Sequence, residues 1–394
     1  MSDKLTEHFC EYSAIFKMVN FAVNNINGSI NTENLDWNFI FTESCKLSLI
    51  TLVNKGIQLL PKAQQPSQQI VRLFANENRH QIIVDTNQLV ELEKLENAFE
   101  KNNIDMLLLK GSYLKFMYPA TYYRYMGDID TFVRLEDFER AHSVLTKLSY
   151  KMNSDGGKDR IYIKDPYIFL EQHHNLVEQE LTKVNKYFEN IWQRSGLKNG
   201  YSHIYLMTPE DIYIHLIAHA VHHFYYAGIA PRIFLDFYVF LEKNKEKLNM
   251  QYVHSVLQDF GYLQFSKKVV ELSYRWFSEN GSGISKDNKL DLFVASCGNF
   301  GQIEHNVGIR SANMTANGKK PSRVKFILKQ IFPPFNRIAS VFPVLKKLPV
   351  LLPVLWVAYI FIKIKKTPTL HYYKNINSYN VDFYKHIIED MGLN

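Results

Sequence analysis

Along most of this 394-residue chain apolar residues recur every three or four positions, but between Ile104 and Leu176 that period breaks. Before the break, Leu47–Leu60 is an apolar run at helical spacing ended by Pro61. Thr86–Lys101 then places Leu89, Leu92, Leu95 and Phe99 on one helical face. Asn102 and Asn103 stop that helix, and Ile104–Leu109 (IDMLLL) reads as a short buried strand. Gly111 and Ser112 follow, with a short helical stretch Tyr113–Tyr118 ended by Pro119. Asp128–Arg134 (DIDTFVR) alternates charged and apolar residues as a half-buried strand does, and Glu136–Leu148 is an amphipathic helix with acids in its first turn. Arg160–Lys164 and Tyr167–Leu176 are two more strands, joined by an Asp165-Pro166 turn. Helix returns at Thr208-Pro209-Glu210-Asp211, with Thr as cap and Pro at the first position. This pattern predicts an α+β chain: a small mixed sheet over 98–180, helical regions over 1–97 and 181–304, and a distinct region over 305–394.

That last region is set apart by charge. The chain carries a net +7, yet His305–Val381 contains no Asp or Glu and thirteen Lys or Arg, so the remainder is at −6. Within it, Leu348–Ile362 is fifteen apolar residues flanked by lysines and broken by Pro349 and Pro353. At 1.5 Å per residue it covers roughly 22 Å, short of a ~30 Å hydrocarbon core. Two readings stay open, a buried core helix and a helix lying in a membrane interface. Over the full sequence 46% hydrophobic residues exclude a disordered chain, and Cys10, Cys45 and Cys297 form neither a metal motif nor a disulfide framework. Residues 1–14 carry three acids and no apolar core of a secretory signal, so a cytoplasmic location is expected, with peripheral membrane contact as the open question.

Asp128 and Asp130 share one face of their strand by its period of two. Like charges that close repel, and a divalent cation held by paired oxygen ligands removes the cost. An acidic pair of this kind also occurs on solvated strand faces, so the neighbours decide. Gly111-Ser112 opens a helix after a buried strand, where backbone N–H groups and the Ser hydroxyl pointing outward would make an anion site. Lys110 and Arg124 add positive charge, and Glu171 supplies a third carboxylate on a later strand. Together these are the parts of two-metal phosphoryl transfer. A second cluster, His215, His219 and His222 (or His223), puts three rings on one helical face. Zinc accepts such spacing, but no HExxH accompanies it; packed histidines, or the lining of a nucleotide or acceptor pocket, are the other readings. Arg232 and Asp236 are expected to pair.

The chain resembles the uncharacterised nucleotidyltransferases of the DNA polymerase beta-type superfamily. Leu109-Lys110-Gly111-Ser112, Tyr118-Pro119, Arg124, Gly127-Asp128-Ile129-Asp130 and Glu171-Gln172-His173 carry the resemblance, joined by the histidine run from His219, by Arg232 to Asp236 and by the Pro-rich segments Phe332-Pro333-Pro334 and Leu351-Leu352-Pro353, so that it spans about residues 40 to 365. It departs from the superfamily pattern in the fifteen residues between Ser112 and Asp128 and in a Glu at the third acidic position. The resemblance implies Mg²⁺ (or Mn²⁺) held by Asp128, Asp130 and Glu171, and nucleotide phosphates on Gly111 and Ser112. The charges of Lys110 and Arg124 suit them to the same phosphates, while His173, His219, His223, Arg232 and Asp236 are candidates for an acceptor pocket. The implied reaction moves a nucleoside monophosphate from an NTP, ATP among them, to an acceptor hydroxyl and releases pyrophosphate. The alternative is an inactive scaffold of the same fold that docks on a membrane or an anionic polymer through its basic region. Nucleic acid is not favoured as a partner, because aromatic-basic interleaving is missing.

Overall fold

A computed structural model of the chain describes residues 7–156, 159–166, 168–178, 181–298, 308–309, 312, 332–366 and 381–393. Many of the basic residues, from Arg310 to Lys329 and Lys374, lie outside the described residues, as does Tyr167 at the start of its expected strand.

The chain is α+β. Its described residues form a seven-stranded mixed sheet, with β1 Met106–Leu108, β2 Ile129–Val133, β3 Lys151–Asp155, β4 Asp159–Lys164, β5 Ile168–His173, β6 Gly196–Leu197 and β7 Ile204–Leu206, in the order β3-β4-β5-β2-β1-β7-β6. At its centre β2 runs parallel to β5 and antiparallel to β1. Three of these strands, β3, β6 and β7, carry no readable alternation: β3 is exposed along its whole length and β6 has only two residues.

Alternation along β1, β2 and β5 sorts side chains to two faces. Met106, Leu108, Ile129, Val133, Ile168 and Leu170 face the helices Gln68–Lys101 and Phe138–Lys147, in one core with Leu92, Leu95, Phe99 and Leu145. Leu107, Leu109 and Phe132 face the other way, into a larger core built by helices from both ends of the chain. There Phe16, on the helix Phe9–Asn24, stacks on Phe277 at 5.6 Å and meets Trp276 edge-on at 5.4 Å. Tyr384 and Ile387, on the helix Val381–Asp390, complete the same core.

Two helical expectations are corrected. The Leu47–Leu60 run is not one helix: Ser48 sits at φ 56°, closing the helix Trp37–Lys46 and leaving a new one at Ile50–Leu59. The helix expected from Thr86 begins at Gln68 and runs for 34 residues. Much of its buried face is polar. Asp85 meets Lys115 at 2.6 Å, Gln88 donates to the Met126 carbonyl at 2.7 Å, Glu91 accepts from Lys164 at 2.6 Å, and Glu96 accepts from Lys198 at 2.5 Å.

Candidate active site

The turn after β1 is held by backbone geometry more than by sequence propensity. Lys110 adopts φ 41° and ψ −113°, a conformation that suits glycine, and Gly111 opens a single helical turn, Gly111–Leu114. The carbonyl of Asp130 ties this turn to β2, accepting from the Leu109 N–H at 3.3 Å and from Ser112 Oγ at 3.2 Å. The outward-pointing Ser112 hydroxyl is thereby corrected: the residue is fully buried and its hydroxyl turns inward to the strand. The Ser112 and Tyr113 amides are likewise spent on the Leu109 and Lys110 carbonyls. Of the Gly-Ser pair, Gly111 faces the adjoining cavity. Its missing side chain matters, because a Cβ there would lie 2.6 Å from Arg124 Nη1 and 2.7 Å from Met126 Cγ.

The three carboxylates converge. Asp130 and Glu171 are register partners on the parallel strands β2 and β5, so their side chains stand side by side on one face. Lys110 Nζ reaches Asp130 Oδ1 at 2.8 Å, and His173 Nε2 lies 3.1 Å from the same oxygen and 3.6 Å from Glu171 Oε2. Asp130, Glu171 and His173 each offer a ligand atom within 4.8 Å of the others. His173, expected in an acceptor pocket, therefore stands between two of the carboxylates. Asp128, Asp130 and Glu171 all line one cavity of about 230 Å³, together with Lys110 and Gly111.

Electrostatics distinguishes the two aspartates. Burial alone would raise the pKa of Asp130, but Lys110 and His173 overcome it and hold this carboxyl well below the usual range. Burial and then the neighbouring Asp130 charge push Asp128 up to about 6. Burial opposes the charge of Lys110, yet Asp130, Glu171 and Asp128 keep its ammonium protonated more firmly than usual. Three carboxylates against one lysine leave a negative excess that a divalent cation suits, and oxygen donors with one imidazole are a fitting ligand set.

Arg124 is turned from this centre toward Asp236. Its Nε and Nη2 each donate at 3.0 Å to the two Asp236 oxygens, and Tyr118 Oη donates to Oδ1 at 2.7 Å. Arg232 approaches Asp236 more distantly, at 3.9 Å, and its Nη1 donates to the Tyr125 carbonyl at 3.2 Å. All three charged residues border the cavity.

A family model described as uncharacterised nucleotidyltransferase matches residues 33–278. The chain belongs to that family. No curated protein and no solved structure matches it. For a nucleotidyltransferase a nucleotide is the implied substrate, and a further wall of the cavity in this family member is the histidine helix, Pro209–Ala227. His219 and His223 face the carboxylate strands across the cavity and hydrogen-bond each other, Nε2 to Nε2, at 3.0 Å. His215 Nε2 donates to the Leu176 carbonyl at 3.1 Å, while His222 lies 3.7 Å from Glu178. Burial is the main cause that lowers the pKa of His215 and His223 to about 4 and of His219 well below its ordinary value, so these rings are neutral at pH 7. A smaller cavity of about 180 Å³ lies beyond them, sharing Lys110, Glu171, His219 and His223 as a common wall and adding Asn175, Glu178 and His222.

Sequence reasoning missed the parts that only three-dimensional contact defines. In the sequence Tyr118 stands out only as half of a Tyr-Pro signature, whereas in the fold its hydroxyl donates to Asp236. Leu216, Ala230, Ile233 and Phe237, apolar residues of the cavity, carry no local signal that separates them from core.

Proposed function

We propose that this nucleotidyltransferase moves a nucleoside monophosphate from an NTP, with Mg²⁺ or Mn²⁺, to an acceptor hydroxyl and releases pyrophosphate. The observation that carries the reading is the in-register placement of Asp130 and Glu171 beside Asp128 in one cavity under the Lys110-Gly111 turn. Asp128, Asp130 and Glu171 are the residues that would hold the metal, with His173 beside them. When bound, the dication would offset their charge and that of the triphosphate and polarise the phosphoryl group.

The chain's own residues supply the rest. Lys110 holds Asp130 ionised and keeps a positive charge on the floor of the cavity. Arg232, on the opposite wall, suits phosphate oxygens, since a guanidinium donates in a planar fork. Arg124 is better placed as a positioning residue, fixing the helix of Asp236 against the turn, than as a phosphate ligand. Neutral His219 and His223 offer imidazole nitrogens to a hydroxyl without adding charge beside the metal. The smaller cavity on their far side is of a size to take part of an acceptor.

The test is to incubate the protein with each α-labelled NTP, ATP first, and Mg²⁺ or Mn²⁺, with and without small-molecule extract, and to follow pyrophosphate and label. Transfer that disappears in Asp128→Ala and Asp130→Ala, with the folded spectrum kept, is the expected result. Full activity in both variants would remove the metal assignment.

A further inference from the structure

Residues 332–366 form a helical unit that is apolar on two sides. Ile338, Ala339 and Leu345 are its buried centre, covered by Leu352, Leu355 and Trp356 of the helix Leu352–Lys366. Trp356 Nε1 donates to the Pro333 carbonyl at 2.9 Å, which fixes that inner side. Among the described residues nothing covers the outer side. Val350 is 80% exposed, Val354 65% and Val357 53%, at positions four and then three apart along the turn and helix. Leu348 and Val344 extend the same exposure. The core-helix reading of this segment is therefore not met. A helix that is apolar all round calls for a second cover.

Charge says what that cover is. The apolar run is bracketed by Lys346 and Lys347 before it and by Lys363, Lys365 and Lys366 at its end, within a stretch that holds thirteen cations and no acid. A second copy of this chain would bring an equally cationic stretch against the first, whereas an anionic surface would be drawn to it. Length sets the orientation. The helix has fifteen residues, roughly 22 Å, and no helix among the described residues is long and apolar enough to cross a membrane. We propose that this unit docks in the plane of an anionic membrane surface, with Val350, Val354 and Val357 at the acyl boundary and the positive charge of its lysine-rich flanks supplying the attraction. The inference stands apart from the transfer reaction and would survive its failure.

The experiment uses the full chain with vesicles of phosphatidylcholine alone or mixed with phosphatidylglycerol, read by co-sedimentation at low and physiological salt. The expected result is binding about tenfold or more tighter to the anionic vesicles, weakened by salt. Val350→Asp combined with Val354→Asp should lose about tenfold, because charge replaces apolar contact at exposed positions. Lys346→Glu and Lys347→Glu should each lose about fivefold or more. Thermal unfolding of each variant, matched to the parent, separates lost docking from lost folding. The proposal is overturned by no binding at low salt, by equal binding to neutral vesicles, or by variants that bind as the parent does. A dimer that Val350→Asp dissolves, without vesicle binding, would overturn it in favour of a second copy as the cover.

Discussion

Asp128 is held at a cost, and the cost can be measured. Its pKa in the folded chain is about 6, above the ordinary carboxylate value. The metal-free protein is therefore destabilised above pH 6, and the penalty fades as pH falls from about 6 to about 4, where the carboxyl is protonated in both states. Asp128→Asn should raise the stability of the metal-free protein at pH 7 by about 1–3 kcal/mol while abolishing transfer. Thermal melts in chelator across pH 4–8 check this: a gain that persists unchanged at pH 4 would contradict the charge argument. Gly111 makes an opposite prediction. Gly111→Ala forces a methyl into Arg124 and Met126, and we expect a loss of about 1–3 kcal/mol with falling activity, read by denaturant unfolding and turnover. The acidic residues were legible from their period-two spacing. The inward Ser112 hydroxyl was not, because its partner, the Asp130 carbonyl, lies eighteen residues on, across a strand pairing.

At the level of elements, what the sequence revealed followed apolar periodicity and stopped where buried faces are polar. The strands around Met106–Leu108, Ile129–Val133 and Ile168–His173 stood out because one or both of their faces are apolar. The Gln68–Asp85 stretch of the Gln68–Lys101 helix did not, because it keeps only Phe74 and Asp85 buried, and further along Gln88, Glu91 and Glu96 bury polar groups against partners far along the chain. The helix Pro231–Asn244 poses the same problem at Asp236. The expected partner was Arg232, but the closer ones are Arg124 and Tyr118, 112 and 118 residues away. Asp236→Ala would strand a buried guanidinium and a buried phenol, and should cost about 3–5 kcal/mol. Asp236→Asn, keeping the shape and an acceptor oxygen, should cost less. Chemical denaturation of both variants tests the order, and equal losses would show that charge, not shape, is what the position supplies.

Over the whole molecule, the family match spans 33–278, yet the helix Phe9–Asn24 before it closes the larger core on Trp276 and Phe277. Asn20 and Asn24 reinforce that closure, donating to the Ser278 carbonyl at 2.5 Å and the Phe277 carbonyl at 2.8 Å. Phe16→Ala should therefore cost about 3–5 kcal/mol, and a fragment limited to 33–278 should show a broad, weakly cooperative melt beside the full chain. A sharp transition at the parent temperature would mean the first helix is dispensable. The carboxylates belong to the sheet, whereas Arg232, Asp236 and the histidines belong to the helices packed on the face to which those carboxylates point. The cavity is thus walled by two kinds of element, the sheet and the helices packed on it. How its walls face one another depends on how firmly they are bolted together, and Asp236, gripped by Arg124 and Tyr118, is one such bolt.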